Sequence, residues 1–70
     1  MAPEEFFETA TAGCYIRYHC RHVRIDYICR GTPYAFGREV GTGRKLYLLL
    51  CNDMLKECGR GCFNSVEIIP

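Results

Sequence analysis

Hydrophobic and polar side chains alternate along residues 15–29, which is the pattern of strands with one buried face. The apolar positions are even-numbered up to Cys20 and odd-numbered from Val23 onwards. This change of phase predicts two strand segments separated by a bulge or a tight polar turn near residues 21–24. A helix is the competing interpretation, because some apolar residues also recur every three to four positions. The content of tyrosine and β-branched residues favours strands.

Residues 34–40 and 44–50 are predicted to be the two strands of a hairpin. Both segments are rich in apolar and aromatic side chains, and they flank Gly41-Thr42-Gly43. Glycines at Gly41 and Gly43 supply the positive φ angles that a tight turn requires. The second strand is apolar on both faces, which places it inside the sheet.

A short helix is predicted from Asp53 to Cys58. Asn52 or Asp53 can cap its start, and Gly59 stands at the usual position after a helix C-terminus. Residues 65–69 then form a last strand. The predicted fold class is therefore α+β and mostly β: a small disulfide-rich domain with an antiparallel sheet, one hairpin and one short helix.

The N-terminal segment differs from the rest of the chain. Residues 1–12 contain three acids and no base. Pro3 followed by two glutamates resembles the start of a helix, whose Phe6 and Phe7 could dock on the body of the protein. The alternative is a frayed acidic terminus. We therefore predict an acidic N-terminal segment over residues 1–12, either helical or flexible, and a single domain over residues 13–70.

Six cysteines in 70 residues predict a covalently stapled fold. A chain this short buries only about 60% of its unfolded surface, so small natural domains often depend on disulfides or metals. His19 and His22 could join the cysteines around zinc, but no CxxC pair is present. We expect disulfides, with no cofactor and with a pairing that the sequence does not reveal. The predicted half-cystines are Cys14, Cys20, Cys29, Cys51, Cys58 and Cys62.

The cysteine content also predicts a secreted, extracellular protein, because disulfides persist in oxidising compartments. Met1 to Glu5 is acidic and no apolar run follows, so the signal peptide would not be part of the given sequence. The longest apolar run, Leu46–Cys51, is far shorter than the ~20 residues that a membrane-spanning helix needs. No membrane span is expected.

Basic residues are concentrated in the middle of the chain, where residues 13–50 carry seven bases against two acids. Arginines that alternate with tyrosines can bind an acidic protein surface or a sulfated or phosphorylated ligand. The alternative is a solvated strand face whose arginines pair with nearby acids. Nucleic acid is not expected, because the net charge is only +1. The predicted binding residues are Tyr15, Arg17, Tyr18, Arg21, Arg24, Arg44 and Lys45.

The predicted function is a non-enzymatic, effector- or toxin-like binding protein that recognises a protein partner through this basic, tyrosine-containing face. A serine-based triad is not predicted, because nothing places a histidine beside Ser65, the only serine. One alternative is an intracellular, zinc-stabilised interaction module that uses His19 and His22. Another is a small RNA-cleaving toxin that uses these histidines in acid–base catalysis. A protease inhibitor or a secreted signalling ligand also fits the composition.

Overall fold

The computed structural model describes all of residues 1–70 and contains one helix and seven strands. The seven strands form one sheet in the order β6-β5-β4-β3-β2-β1-β7, and every pairing is antiparallel. This confirms the mostly β, antiparallel class. The elements are α1 (Pro3–Thr9), β1 (Tyr15–Tyr18), β2 (Arg21–Cys29), β3 (Tyr34–Glu39), β4 (Lys45–Cys51), β5 (Met54–Glu57), β6 (Gly61–Phe63) and β7 (Glu67–Ile69).

A two-residue turn, His19-Cys20, joins β1 to β2 and accounts for the change of phase predicted near residues 21–24. His19 adopts a left-handed conformation with φ 54°. Because the turn contains two residues, Ile16 of β1 lies opposite Val23 of β2, and both are fully buried. Even-numbered apolar residues of β1 and odd-numbered apolar residues of β2 therefore face the same core.

A second change of phase lies inside β2. Its pairing with β3 shifts between Ile25 and Tyr27, which leaves Asp26 as the extra residue of a β-bulge. Ile25 is fully buried, but beyond the bulge Tyr27 is exposed, and Ile28 lies opposite the buried Ala35. Alternation alone groups Tyr27 with Ile25, and the bulge turns the tyrosine to the opposite side of the sheet.

Strand β3 approaches β2 very closely beside this bulge. A methyl group added at Gly37 would lie 2.2 Å from the carbonyl oxygen of Arg24. Only a residue without a Cβ atom fits there, since the obstructing atom belongs to the backbone and has no rotamer to change.

The hairpin between β3 and β4 is confirmed. Strand β3 ends at Glu39 and β4 begins at Lys45. Within the connection, Gly41 and Gly43 have φ angles of 96° and 73°, the left-handed values that favour glycine.

The prediction of a helix from Asp53 to Cys58 is wrong, because this segment forms strand β5 and part of the turn before it. Asn52 and Asp53 have φ angles of 51° and 62° and form a two-residue turn, so Cys51 pairs with Met54. Asparagine and aspartate favour both helix caps and left-handed turns, so these residue types alone do not distinguish the two structures.

The helix of this protein is instead α1, which packs against β4 and β5. Its Phe6 and Phe7 are buried. At the C-terminal end of the helix, the Arg30 side chain donates hydrogen bonds to the carbonyl oxygens of Glu8 and Ala10. The helix therefore belongs to the same core as the sheet. That core consists of Phe6, Phe7, Ala10, Ile16, Tyr18, Val23, Ile25, Ala35, Leu46, Leu48, Leu55 and Val66.

The last strand, β7, lies within the predicted residues 65–69 and pairs with β1. No helix of the chain has the length and apolar content needed to cross a membrane, in agreement with the short apolar runs of the sequence.

The close approach at Gly37 predicts that Gly37→Ala destabilises the protein by about 1–3 kcal/mol or more, because the added methyl group forces β2 and β3 apart. Urea unfolding followed by circular dichroism measures the loss. Gly31→Ala is the matched control, since nothing lies within 4 Å of a Cβ atom there. The control is expected to change the free energy of unfolding by no more than about 1 kcal/mol. Equal effects of the two substitutions would contradict the packing at Gly37.

Candidate binding surface

Three aromatic side chains form a continuous row on the outer face of the sheet, the face of β2–β5 that points away from the core. Tyr27 pairs with Phe36 across β2 and β3, and Phe36 pairs with Tyr47 across β3 and β4. Their ring centroids lie 5.3 and 5.9 Å apart. We call Tyr27, Phe36 and Tyr47 the aromatic ridge. These residues are 42%, 37% and 56% exposed, although they lie on the inner strands of the sheet.

Two further side chains extend the apolar surface along the strands. The ring of Tyr34 lies 5.7 Å from that of Tyr27, and Tyr34 pairs with Leu49 of β4. Leu49 is 36% exposed. The ridge and its neighbours therefore form one contiguous apolar patch, and such patches mark interaction surfaces more often than isolated apolar residues do.

Beside the ridge, three cationic side chains form a second row, which we call the cation row. Arg24 of β2 pairs with Arg38 of β3, and Arg38 pairs with Lys45 of β4. Side chains on alternate residues of a strand share one face, so Arg38 and Lys45 lie beside Phe36 and Tyr47 on the outer face. The Arg24 and Arg38 side chains are 49% and 58% exposed.

The bulge residue Asp26 bridges two members of the cation row. Its Oδ1 lies 2.7 Å from Nη1 of Arg24, and its Oδ2 accepts a hydrogen bond from Nε of Arg38 at 3.0 Å. The Arg38 hydrogen bond, followed by the positive charges of Arg38 and Arg24, holds the pKa of the Asp26 carboxyl below its ordinary value. The two guanidinium groups thus already bind one carboxylate of the same chain.

Three of the predicted binding residues lie together on this surface. Arg24 and Lys45 belong to the cation row, and the exposed Tyr15 pairs with Arg24 from β1. Arg44 is exposed in the neighbouring hairpin loop. Arg17 is also exposed, but it forms a salt bridge of 3.0 Å with Glu67 of β7.

The other two predicted residues, Tyr18 and Arg21, lie on the core side of the sheet. The Tyr18 hydroxyl donates a hydrogen bond of 2.7 Å to Oε1 of the buried Glu57. Nε of Arg21 lies 3.0 Å from the same oxygen and forms an ion pair with it, but the two atoms are not aligned for a hydrogen bond. Nη1 of Arg21 donates a hydrogen bond of 3.1 Å to Glu39. These four side chains and Arg60, which lies 3.3 Å from Glu57, form a charge network. We call it the buried charge network because Glu57, at its centre, is buried, whereas Arg21 and Glu39 are half-buried and Arg60 is exposed.

The cysteines and histidines form neither disulfides nor a metal-binding cluster. All six cysteines are free thiols, so the structure does not support the predicted disulfide scaffold. The ring of His19 lies against Phe63 and that of His22 near Tyr15. No group of three or more histidine, cysteine, aspartate or glutamate side chains is placed to hold a metal ion. The zinc-module alternative thus lacks the cluster of ligands that it requires.

Four residues of this candidate surface are not among the binding residues predicted from the sequence: Tyr27, Phe36, Arg38 and Tyr47. The alternation in the β3–β4 hairpin could have grouped Phe36, Arg38 and Tyr47, because its register follows from the turn. No comparable signal was available for Tyr27, since the bulge that turns it outward depends on contacts between strands.

Comparison of this chain with protein-family models, with curated proteins and with solved structures gives no match.

The buried network predicts that stability falls at alkaline pH. Burial, the hydrogen bond to Glu57 and the charge of Glu57 all raise the pKa of Tyr18 above its ordinary value of about 10. Above that pH the unfolded chain releases the phenolic proton while the folded chain retains it, which costs about 1.4 kcal/mol of stability per pH unit. Urea unfolding between pH 8 and pH 11 measures the slope. Tyr18→Phe should show a shallower decline than the unsubstituted protein, and parallel declines would contradict the assignment.

The free thiols predict that all six cysteines react with iodoacetamide in denaturant without reductant. In the folded protein the exposed Cys20, Cys58 and Cys62 should react before the half-buried cysteines, because modification requires access to the sulfur. Intact-mass measurement counts the modified thiols. Fewer than six would show cysteine pairing and would restore the disulfide prediction.

Proposed function

We propose that this chain is a non-enzymatic binding protein whose recognition surface is the outer face of the sheet, centred on the aromatic ridge. The observation that carries the proposal is the exposure of Tyr27, Phe36 and Tyr47 in register on three adjacent strands. Aromatic side chains left exposed side by side have a cost in water that contact with a partner removes. A protein is the partner class that this surface fits best.

The composition of the surface supports a protein partner. Interfaces between proteins combine an apolar and aromatic centre with a polar rim, and they are enriched in tyrosine, phenylalanine and arginine. Here the ridge forms the centre, and Arg24, Arg38 and Lys45 form one side of the rim. The proposed surface shares Arg24 and Lys45 with the basic, tyrosine-containing face predicted from the sequence, but its centre lies on β2, β3 and β4.

The proposal does not depend on disulfides or on a cellular compartment. Secretion and an effector- or toxin-like role were predicted from an expected disulfide scaffold, and the free thiols give that scaffold no support. Both therefore stay predictions, to be tested by the thiol count and by locating the protein.

Replacing the ridge should abolish partner binding while the fold is retained. Phe36→Thr with Tyr47→Thr removes two exposed rings and keeps side chains that suit a strand. If each ring is a binding hot spot, each loss costs about 2 kcal/mol, or about 30-fold in affinity. The measurement is quantitative mass spectrometry of proteins captured from an extract of the producing organism by the immobilised protein and by the variant.

Val40→Thr is the control, because Val40 is an exposed apolar residue outside the ridge. Proteins captured by the unsubstituted chain and by the control, but lost with the double variant, would support the proposal. Identical capture by all three proteins would contradict it, provided that circular dichroism shows the same folded spectrum for each.

A further inference from the structure

The positive charge of the protein is concentrated on the outer face. The outer face of β2–β5 carries four cationic side chains, Arg24, Arg38, Lys45 and Lys56, and a single carboxylate, that of Asp26. Its formal charge is therefore +3. Since the whole chain carries +1, all remaining residues together carry −2. The small net charge of the chain thus results from a positive outer face and a negative remainder. The positive charge surrounds the aromatic ridge, where a partner would make contact.

Cations border the apolar patch formed by the ridge, Tyr34 and Leu49 on two sides. Arg38 and Lys45 lie beside Phe36 and Tyr47 on one side, and Lys56 pairs with Leu49 on the other. The edge of any partner surface that covers the ridge therefore lies against these positively charged side chains. Opposite charge at that rim steers association and fixes orientation, whereas like charge would oppose it.

The salt bridges of Asp26 show which anion the cation row can hold. One carboxylate lies between Arg24 and Arg38, with contacts of 2.7 and 3.0 Å to their guanidinium groups. Both arginines remain about half exposed, so they keep donors for a second carboxylate. Asp26 therefore acts as an internal competitor for an acidic group of a partner.

The packing of the ridge favours a protein over single-stranded nucleic acid. Bases bind by stacking on the open faces of aromatic rings. The planes of Tyr27 and Phe36 lie within 24° of each other at 5.3 Å, and more than half of each side chain is covered. The ridge therefore presents a packed apolar strip with hydroxyl groups, and this suits the side chains of a protein better than a series of separate bases.

We infer that the partner is a protein with an acidic contact surface, in which an apolar or aromatic side chain packs on the ridge and adjacent carboxylates bind the cation row. The inference rests on the proposed function and specifies the chemistry of the partner. Asp26 lowers the affinity for that partner, because it neutralises part of the charge of Arg24 and Arg38. The same carboxylate keeps the two arginines in place when no partner is bound.

Three probes test the inference by NMR titration of the isotopically labelled protein. The first is a capped pentapeptide in which glutamates flank a phenylalanine and a leucine, the second is its glutamine counterpart, and the third is a short thymidine oligonucleotide. We expect the acidic peptide to shift the amide signals of β3 and β4 and to bind at least about tenfold more tightly than the neutral peptide. Added salt should reduce this advantage, because it screens exposed charges.

One variant that removes positive charge and one that removes negative charge distinguish a role in recognition from a role in folding. Arg38→Gln with Lys45→Gln should remove most of the preference for the acidic peptide. Asp26→Asn should strengthen acidic-peptide binding by about two- to fivefold, as expected for releasing exposed ion pairs. A merely structural role of Asp26 would instead weaken binding or leave it unchanged. Retained dispersion of the amide spectrum shows that each variant is folded.

Each contrary outcome is distinct. Equal affinity for the two peptides would overturn the acidic partner and leave the ridge as a binding surface. Tighter binding of the oligonucleotide than of the acidic peptide would overturn it in favour of nucleic acid. No shift with any probe, or shifts confined to β6 and β7, would also overturn it. The proposed function would then depend on the capture experiment alone.

Discussion

Strands β2 and β3 approach so closely that a methyl group at Gly37 would lie 2.2 Å from the carbonyl oxygen of Arg24. The bulge at Asp26 lies directly beside this contact, and the two features together set the pairing of the central strands. Beyond the bulge, Tyr27 points outward and completes the aromatic ridge. The extra residue itself supplies the carboxylate that joins Arg24 to Arg38. Both rows of the outer face therefore depend on one local irregularity in the sheet.

The opposite face is organised by the buried charge network. Tyr18 and Arg21, at the β1–β2 turn, meet Glu57 at the end of β5, although three strand positions separate β1 from β5 in the sheet. This contact across the curled sheet orders the two ends of the structure relative to each other. Burying a carboxylate is costly unless several partners satisfy it, and Glu57 has Tyr18, Arg21 and Arg60. Arg21 thus contributes to the fold through its ion pairs with Glu39 and Glu57.

A chain of 70 residues with six cysteines suggested a fold that covalent links must hold. In the structure the cysteines are free, and the apolar core is formed by the core side of the sheet together with the phenylalanines of the helix. Composition reports how many sulfur atoms are present, but a disulfide depends on the distance and direction between two of them. These distances and directions are set by the tertiary structure, so the number of cysteines alone does not determine whether disulfides form.

Local patterns in the sequence determined most of the strands and the β3–β4 hairpin, because alternation and turn glycines act over a few residues. They also predicted Arg24 and Lys45 as parts of a basic face. Only the tertiary structure decided that Asn52-Asp53 is a turn and not a helix cap and that Tyr27 faces outward. It also decided that Tyr18 is buried and that Arg21 is half-buried on the core side of the sheet. The reason is physical: turn type, bulge position and burial depend on which strand lies alongside, and the partner strand is distant in sequence.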